Sequence, residues 1–175
     1  MSIDLAKIIA GCKRKEAESF SLLVDIYSGR LFGYFYRLTG KRQVSEDLLS
    51  ELFVKLVEQI KSFRGGSFES WLFKIARNIF RDYLRAKQRY GKLLDEKKKR
   101  IEENTVEAKT TETDRFDKLQ IQLDKLDADT RELIMLRFYS QLSFKEMSQM
   151  RGEPIGTVLS KVHRGLKKLR ELMEQ

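Results

Sequence analysis

Residues 62–85 read SFRGGSFESWLFKIARNIFRDYLR, and this stretch decides the fold. Its first six residues contain paired glycines, which disfavour helix and permit backbone angles closed to other residues. The remainder is amphipathic at helical spacing. Leu72, Ile75, Ala76, Ile79 and Tyr83 share one side, while Lys74, Arg77, Asn78, Arg81 and Arg85 fall within about 100° of arc on the other. Trp71 borders the basic stripe. A loop followed by a helix from about Phe68 to Tyr90 is expected.

Upstream, Phe20, Leu23, Val24, Tyr27, Leu31, Tyr34, Phe35 and Leu38 recur three or four apart, which predicts a helix over 20–38. Ser45 is an expected N-cap for the next helix, with Glu46 and Asp47 in its first turn. That helix is expected to bury Leu48, Leu49, Leu52, Phe53, Leu56, Val57 and Ile60. Its other side bears Glu46, Asp47, Ser50, Glu51 and Glu58. Downstream, residues 91–114 are charged and hold few aliphatic side chains, so they read as a flexible linker, part helical near DEKKKRIEEN. Beyond it, helices are expected over about 115–125 and 129–140, with Asp129 and Glu132 at capping-box spacing. A capping box from Ser143 to Glu146 opens a short helix ending near Gly152, and Pro154 opens the last. Short helix, turn, longer helix is the outline of a helix-turn-helix.

The expected architecture is all-α, with two small helical domains, 1–90 and 115–175, joined by the linker 91–114. One proline in 175 residues and 41% hydrophobic residues agree with this. The formal net charge of +9 divides into +7, −1 and +3 over those three segments. Basic ends around a near-neutral middle suit a nucleic-acid or acidic-membrane partner. No apolar run approaches the roughly 20 residues of a membrane span. The N-terminus has neither the basic start nor the cleavage site of a signal peptide. A cytoplasmic protein is expected, and the single Cys12 fits a reducing compartment.

One histidine, His163, and one cysteine leave no Ser-His-Asp set and no zinc site, and RGGS at 64–67 lacks the rest of a phosphate loop. No cofactor, metal or catalytic residue is expected. The basic stripe of 68–90 can follow phosphates, and an aromatic beside it can stack on an unpaired base; equally, it suits a solvated face with Trp71 in the core. On the last helix, Thr157, Ser160, Lys161, Arg164 and Lys168 share one side. Ile155, Val158, Val162, Leu166, Leu169 and Met173 share the other. The second helix of a helix-turn-helix enters the major groove with its early residues, here Thr157, Ser160 and Lys161; an ordinary amphipathic helix closing a bundle has the same pattern. The acidic side of 45–60 suits a basic protein partner or plain solvent.

SFRGGSFESWLFKIARNIFRDYLR (62–85) resembles the promoter-melting segment of bacterial sigma factors of the extracytoplasmic-function group. VSEDLLSELFVKL (44–56) resembles the preceding helix, which in that family docks on the polymerase clamp. Residues 126–172 resemble the family's C-terminal domain, including the P-x-G-T-V start of its recognition helix. The resemblance implies a factor that binds core RNA polymerase, opens the −10 element with its first domain and reads the −35 element of promoter DNA with its second. It implies −10 contacts from Phe63, Arg64, Trp71, Lys74, Arg77, Asn78, Arg81 and Arg85, with Asn78 helping to hold a flipped base. It implies −35 contacts from Thr157, Ser160, Lys161, Arg164 and Lys168, and polymerase contacts from Glu46, Asp47, Ser50 and Glu51. Family members are often held by an anti-sigma factor, so one is an expected partner. Ser50 stands where the family often has Gln, and Leu159 where many members have Arg. By helical angle Leu159 also fits the apolar side. Met150-Arg151-Gly152-Glu153 forms a polar turn. A stand-alone helix-turn-helix regulator and a helical protein-binding adaptor are the alternatives.

Overall fold

The computed structural model describes residues 4–98 and 118–174. Among them are eight α-helices and one 3-10 turn: α1 (Leu5–Lys13), α2 (Ala17–Thr39), α3 (Arg42–Gln59), the turn Ile60–Ser62, α4 (Phe68–Lys98), α5 (Lys118–Asp124), α6 (Ala128–Ser140), α7 (Phe144–Arg151) and α8 (Ile155–Glu174).

In the first domain α2 packs on α1 and α3, α4 packs on α3, and aromatic side chains link α2 to α4. Tyr34, Phe35 and Phe73 are fully buried, and Tyr34 meets Phe73 edge to face with ring centroids 5.6 Å apart. Leu23, Leu31, Leu52, Leu56, Leu72, Ala76 and Ile79 complete this core. Cys12 is fully buried, and burial pushes its thiol above the ordinary value.

Several local expectations need correction. Ser45 is not an N-cap. The helix begins earlier, at Arg42, and Ser45 is buried inside it. Its hydroxyl donates back to the Lys41 carbonyl at 2.7 Å. Val57 is exposed rather than packed, because the core side of α3 is the Leu48–Leu52–Leu56 row. The segment expected to be linker from residue 91 begins as helix, since α4 runs on to Lys98. The rest of the expected linker lies outside the described residues.

In the second domain, Leu123, Leu133, Leu136, Met147, Val158 and Val162 are buried together. Asp127, not Asp129, caps α6: its carboxylate accepts from the Thr130 N–H at 2.8 Å. Asp129 and Glu132 lie inside the helix. The expected capping box at α7 is present, with the Ser143 N–H donating to Glu146 at 2.9 Å and the Glu146 N–H donating to the Ser143 hydroxyl at 3.2 Å. Gly152 ends α7 in the left-handed conformation.

The two domains touch. Helix α6 lies across α2, where Arg30 Nε donates to the Tyr139 carbonyl at 2.9 Å, and it also meets α4.

Backbone N–H groups hold Asp127 and Glu146 below the ordinary carboxylate value. Both bind protons less readily folded than unfolded, so their contribution is complete at neutral pH and is lost as pH falls from the ordinary carboxylate range, about 4, through their lower folded values. The urea midpoint is expected to be lower at pH 3.5 than at pH 7. Ser143→Ala is expected to cost about 1 kcal/mol at pH 7, read as a lower midpoint at unchanged slope. An unchanged midpoint would show that the capping box adds nothing.

Candidate nucleic-acid interface

The core side of α4 fixes the direction of its cations. Lys74, Asn78 and Arg85 face solvent, and Arg85 reaches back to Asp82 at 2.6 Å. Arg81 is half-buried. Arg77 is only 8% exposed, although the spacing put it on the same stripe. It lies on the edge of the stripe that α6 covers, and burial lowers its guanidinium below the ordinary value despite the nearby Glu132 carboxylate. The sequence stripe is therefore exposed only in part.

The loop before α4 follows the glycine reading. Gly65 and Gly66 have φ of 111° and 85°, conformations that side chains resist. Phe63 does not project from this loop. It is 7% exposed, packs edge to face on Phe68 at 5.4 Å and lies 5.6 Å from Trp71. Its ring supports the loop from below and is not presented to solvent. Trp71 is partly buried in the same aromatic cluster. Arg64 is exposed at the loop's surface. Lys13, which sequence reading missed, ties the loop down: its ammonium donates to the Phe63 carbonyl at 2.7 Å and lies over the Phe63 ring. It is 50 residues away in sequence, so no local pattern could reveal it.

Helix α8 presents Thr157, Ser160, Arg164 and Lys168 to solvent. Lys161 is held instead, with Asp129 and Glu153 each 2.8 Å from its ammonium. These carboxylates raise Lys161 above its ordinary value. Leu159 is 48% exposed, and Ile155 and Leu166 are exposed beside it. All three were expected on the packed side. The core side of α8 is narrower than that, with only Val158, Val162 and Gly165 buried. Leu159 thus stands on the outer surface, where its apolar side chain meets solvent or a partner.

On α3, Glu46, Asp47, Ser50 and Glu51 are exposed, as expected. Arg42 lies 2.9 Å from Glu46 and Lys55 lies 2.8 Å from Glu51, whereas the Ser50 hydroxyl bonds the Glu46 carbonyl of its own helix. Val54 and Val57 are more than half exposed beside these acids. Acidic and apolar groups together suit a protein partner better than a phosphate chain.

The polar turn Met150–Glu153 now has a structural account. The Arg151 side chain is buried and pairs with Asp129, with Glu132 at 2.7 Å and with Glu153 at 2.6 Å. Burial opposes its charge, and the bonds to Asp129 and Glu153 more than offset that, so the guanidinium sits above its ordinary value. Glu132 also faces the first domain, with Arg77 Nε 3.4 Å and Arg81 Nη2 3.3 Å away. Sequence reading placed Arg77 and Arg81 with DNA and gave Glu132 to a helix cap. The network joins residues more than 50 positions apart, which helical spacing cannot reach.

Among the described residues, no group of His, Cys, Asp and Glu could hold a metal ion. No described helix is long and apolar enough to cross a membrane.

Residues 23–90 match the family described as Sigma-70 region 2, and residues 116–169 match Sigma-70, region 4. The ECF RNA polymerase sigma factor SigW of Bacillus subtilis (strain 168) is 28% identical over 183 residues, covering 98% of this chain and 97% of that one. The ECF RNA polymerase sigma factor SigE of Mycolicibacterium smegmatis is 31% identical over 158 residues, which span 89% of this chain and 62% of that one. Among solved structures, the sigma factor RpoE from Bartonella quintana, in complex with the anti-sigma factor NepR, superposes with a TM-score of 0.70 at 27% identity, covering 90% of this chain and 98% of that chain. The two matched regions lie in order on either side of the expected linker, each containing one of the two basic helices. The chain belongs to the ECF sigma factors, which bind core RNA polymerase and direct it to promoter DNA.

Proposed function

We propose that the two domains divide promoter recognition between single-stranded and duplex DNA. The observation that carries this reading is the exposed row Lys74, Asn78 and Arg85 on α4, beside the glycine loop that presents Arg64. Arg77 and Arg81 extend the row when they are free. Phosphates follow the cations, while Asn78 offers an amide donor and acceptor to the edge of an extruded −10 base. Phe63 and Trp71 act from below by fixing the loop and the start of α4. The first domain covers 1–90 and the second 115–175, with α4 continuing as helix into the join.

In the second domain, α8 enters the major groove of the −35 duplex. Thr157 and Ser160 face base edges, and Arg164 and Lys168 face phosphates. Lys161 joins them only by giving up Asp129 or Glu153. Leu159 brings an apolar contact to the groove, suited to a thymine methyl rather than to a bidentate contact with guanine.

Glu46, Asp47, Ser50 and Glu51 of α3 dock on a basic surface of the polymerase, with Val54 and Val57 adding apolar contact. The protein works in the cytoplasm as a non-catalytic initiation factor without cofactor or metal. An anti-sigma factor is a further expected partner, as NepR is for the Bartonella protein.

The deciding experiment is run-off transcription with core polymerase, paired with sequencing of the DNA that the reconstituted holoenzyme retains. Asn78→Ala is expected to lower promoter opening by about tenfold, the worth of roughly one hydrogen bond in a dry pocket, and to leave duplex −35 binding unchanged. Loss of both together would sink the Asn78 role. Asp47→Lys is expected to weaken holoenzyme assembly by about tenfold or more, because like charges then face each other. Arg164→Ala is expected to lower the salt slope of duplex binding by about 1. Lys161→Ala should lower it less, because its carboxylate partners compete with the phosphate. Equal slopes for the two variants would show that Lys161 is free in the complex.

A further inference from the structure

The glycine loop is anchored at its two ends. A Cβ placed on Gly65 or Gly66 would meet nothing within 4 Å beyond its chain neighbours, so the tip itself is unpacked. An open cleft of about 620 Å³ lies beside it, lined by Ile9 and Ala10 of α1 and by both glycines. The far end of the loop is set by α4 and α2. There the Ser67 hydroxyl accepts from the Ser70 N–H at 3.1 Å, and the Tyr27 hydroxyl donates to Glu69 at 2.7 Å. The near end is set by Phe63. Its ring rests on Phe68 and Trp71, and its carbonyl accepts from Lys13.

Lys13 is well placed for this. It is the last residue of α1, where the free carbonyl ends of a helix favour a cation. The 3-10 turn Ile60–Ser62 packs on α1 and so brings the start of the loop to it. The half-buried Lys13 side chain then makes two contacts with one residue. Its ammonium donates to the Phe63 carbonyl at 2.7 Å and stands 5.5 Å from the centre of the Phe63 ring. A peptide unit is planar, so a held Phe63 carbonyl also fixes the Arg64 N–H and the direction of the Arg64 Cα. The next two residues are glycines, whose backbone is the least restrained of any. The Phe63–Arg64 peptide is therefore the last firm joint before the tip.

On the reading of the first domain as the single-strand domain, we propose that Lys13 is a positioning residue for promoter opening. By clamping the Phe63–Arg64 peptide, it presents the exposed Arg64 and the glycine backbone to the strand in one orientation. Lys13 acts through the loop and not by its own contact with DNA. Its effect is preorganisation: it raises the fraction of molecules whose loop already stands where the strand arrives, and apparent affinity follows that fraction. Without the tie, the loop keeps its far anchor and the Phe63 ring, but the peptide plane is free to turn. The strand must then order the loop as it binds.

Full-length variants assembled with core polymerase test this. Lys13→Met keeps an unbranched side chain and removes the charge and the donors, whereas Lys13→Arg keeps both. Lys13→Met is expected to lower promoter opening, and binding of a single-stranded −10 oligonucleotide, by about fivefold, the worth of one hydrogen bond. Lys13→Arg is expected to restore most of the loss. Holoenzyme assembly and duplex −35 binding should stay at wild-type levels. The salt slope of strand binding should also be unchanged, because Lys13 neutralises no phosphate. In an Arg64→Ala background, Lys13→Met should cost little more. Wild-type opening by Lys13→Met, or no restoration by Lys13→Arg, would overturn the proposal. A salt slope lower by about 0.7 would make Lys13 a phosphate contact instead. Parallel losses of assembly and −35 binding would make it a support of the whole fold, and an undiminished loss beside Arg64→Ala would detach it from the loop; each result overturns the positioning role. If Asn78→Ala lowers opening and Lys13→Met does not, the Lys13 role alone fails. If both leave opening intact, the single-strand reading fails with it.

Discussion

Burial of one side of α4 is the constraint on which the rest of the structure depends. Leu72, Phe73, Ala76 and Ile79 are buried where α4 packs on α3, Phe73 meets Tyr34 of α2 edge to face, and Phe68 and Trp71 join Phe63 beneath the glycine loop. A helix held by its apolar side has no freedom to rotate. The cations on the other side therefore point in a fixed direction, and the loop that precedes them is fixed as well. Lys13 adds a single charged tie from α1 to the Phe63 carbonyl.

A fixed row of cations carries an electrostatic cost that grows when a second basic domain packs beside it. Helix α6 meets that cost. It lies between the two basic helices, and its Asp129 and Glu132 supply the negative charge on either side. Arg151 is buried between these carboxylates and Glu153, so its domain keeps a satisfied ionic centre with or without the neighbour. Glu132 lies 2.7 Å from Arg151 in its own domain and 3.3–3.4 Å from Arg81 and Arg77 across the junction, where Arg30 also reaches the Tyr139 carbonyl at 2.9 Å.

Much of this was legible in the sequence, and the reason is local. Capping of α7, the break at Gly65–Gly66, the course of α2 and the start of α4 depend on neighbours within a few positions. The errors have local causes too. Ser45 has the composition of a cap, but the helix starts at Arg42 and turns the serine inward. Asp129 and Glu132 have the spacing of a capping box, yet Asp127 takes the cap and frees both for ion pairs. Ile155, Leu159 and Leu166 share the apolar side of α8 by angle, but the core that α8 meets is narrower than that side, so they remain outside.

The sequence by itself determined the all-helical class, the order of two basic helical regions around a charged middle, and the family to which those regions belong. Each follows from periodicity, composition and short motifs, which are properties of neighbouring residues. Only the tertiary structure decided which members of the basic stripes are free. Arg77 and Lys161 have the same spacing as their exposed neighbours, and carboxylates 55 and 32 residues away set them apart. Helical angle tells which side of a helix a residue occupies. What stands opposite that side depends on how separate segments pack, and there the short-range pattern carries no information.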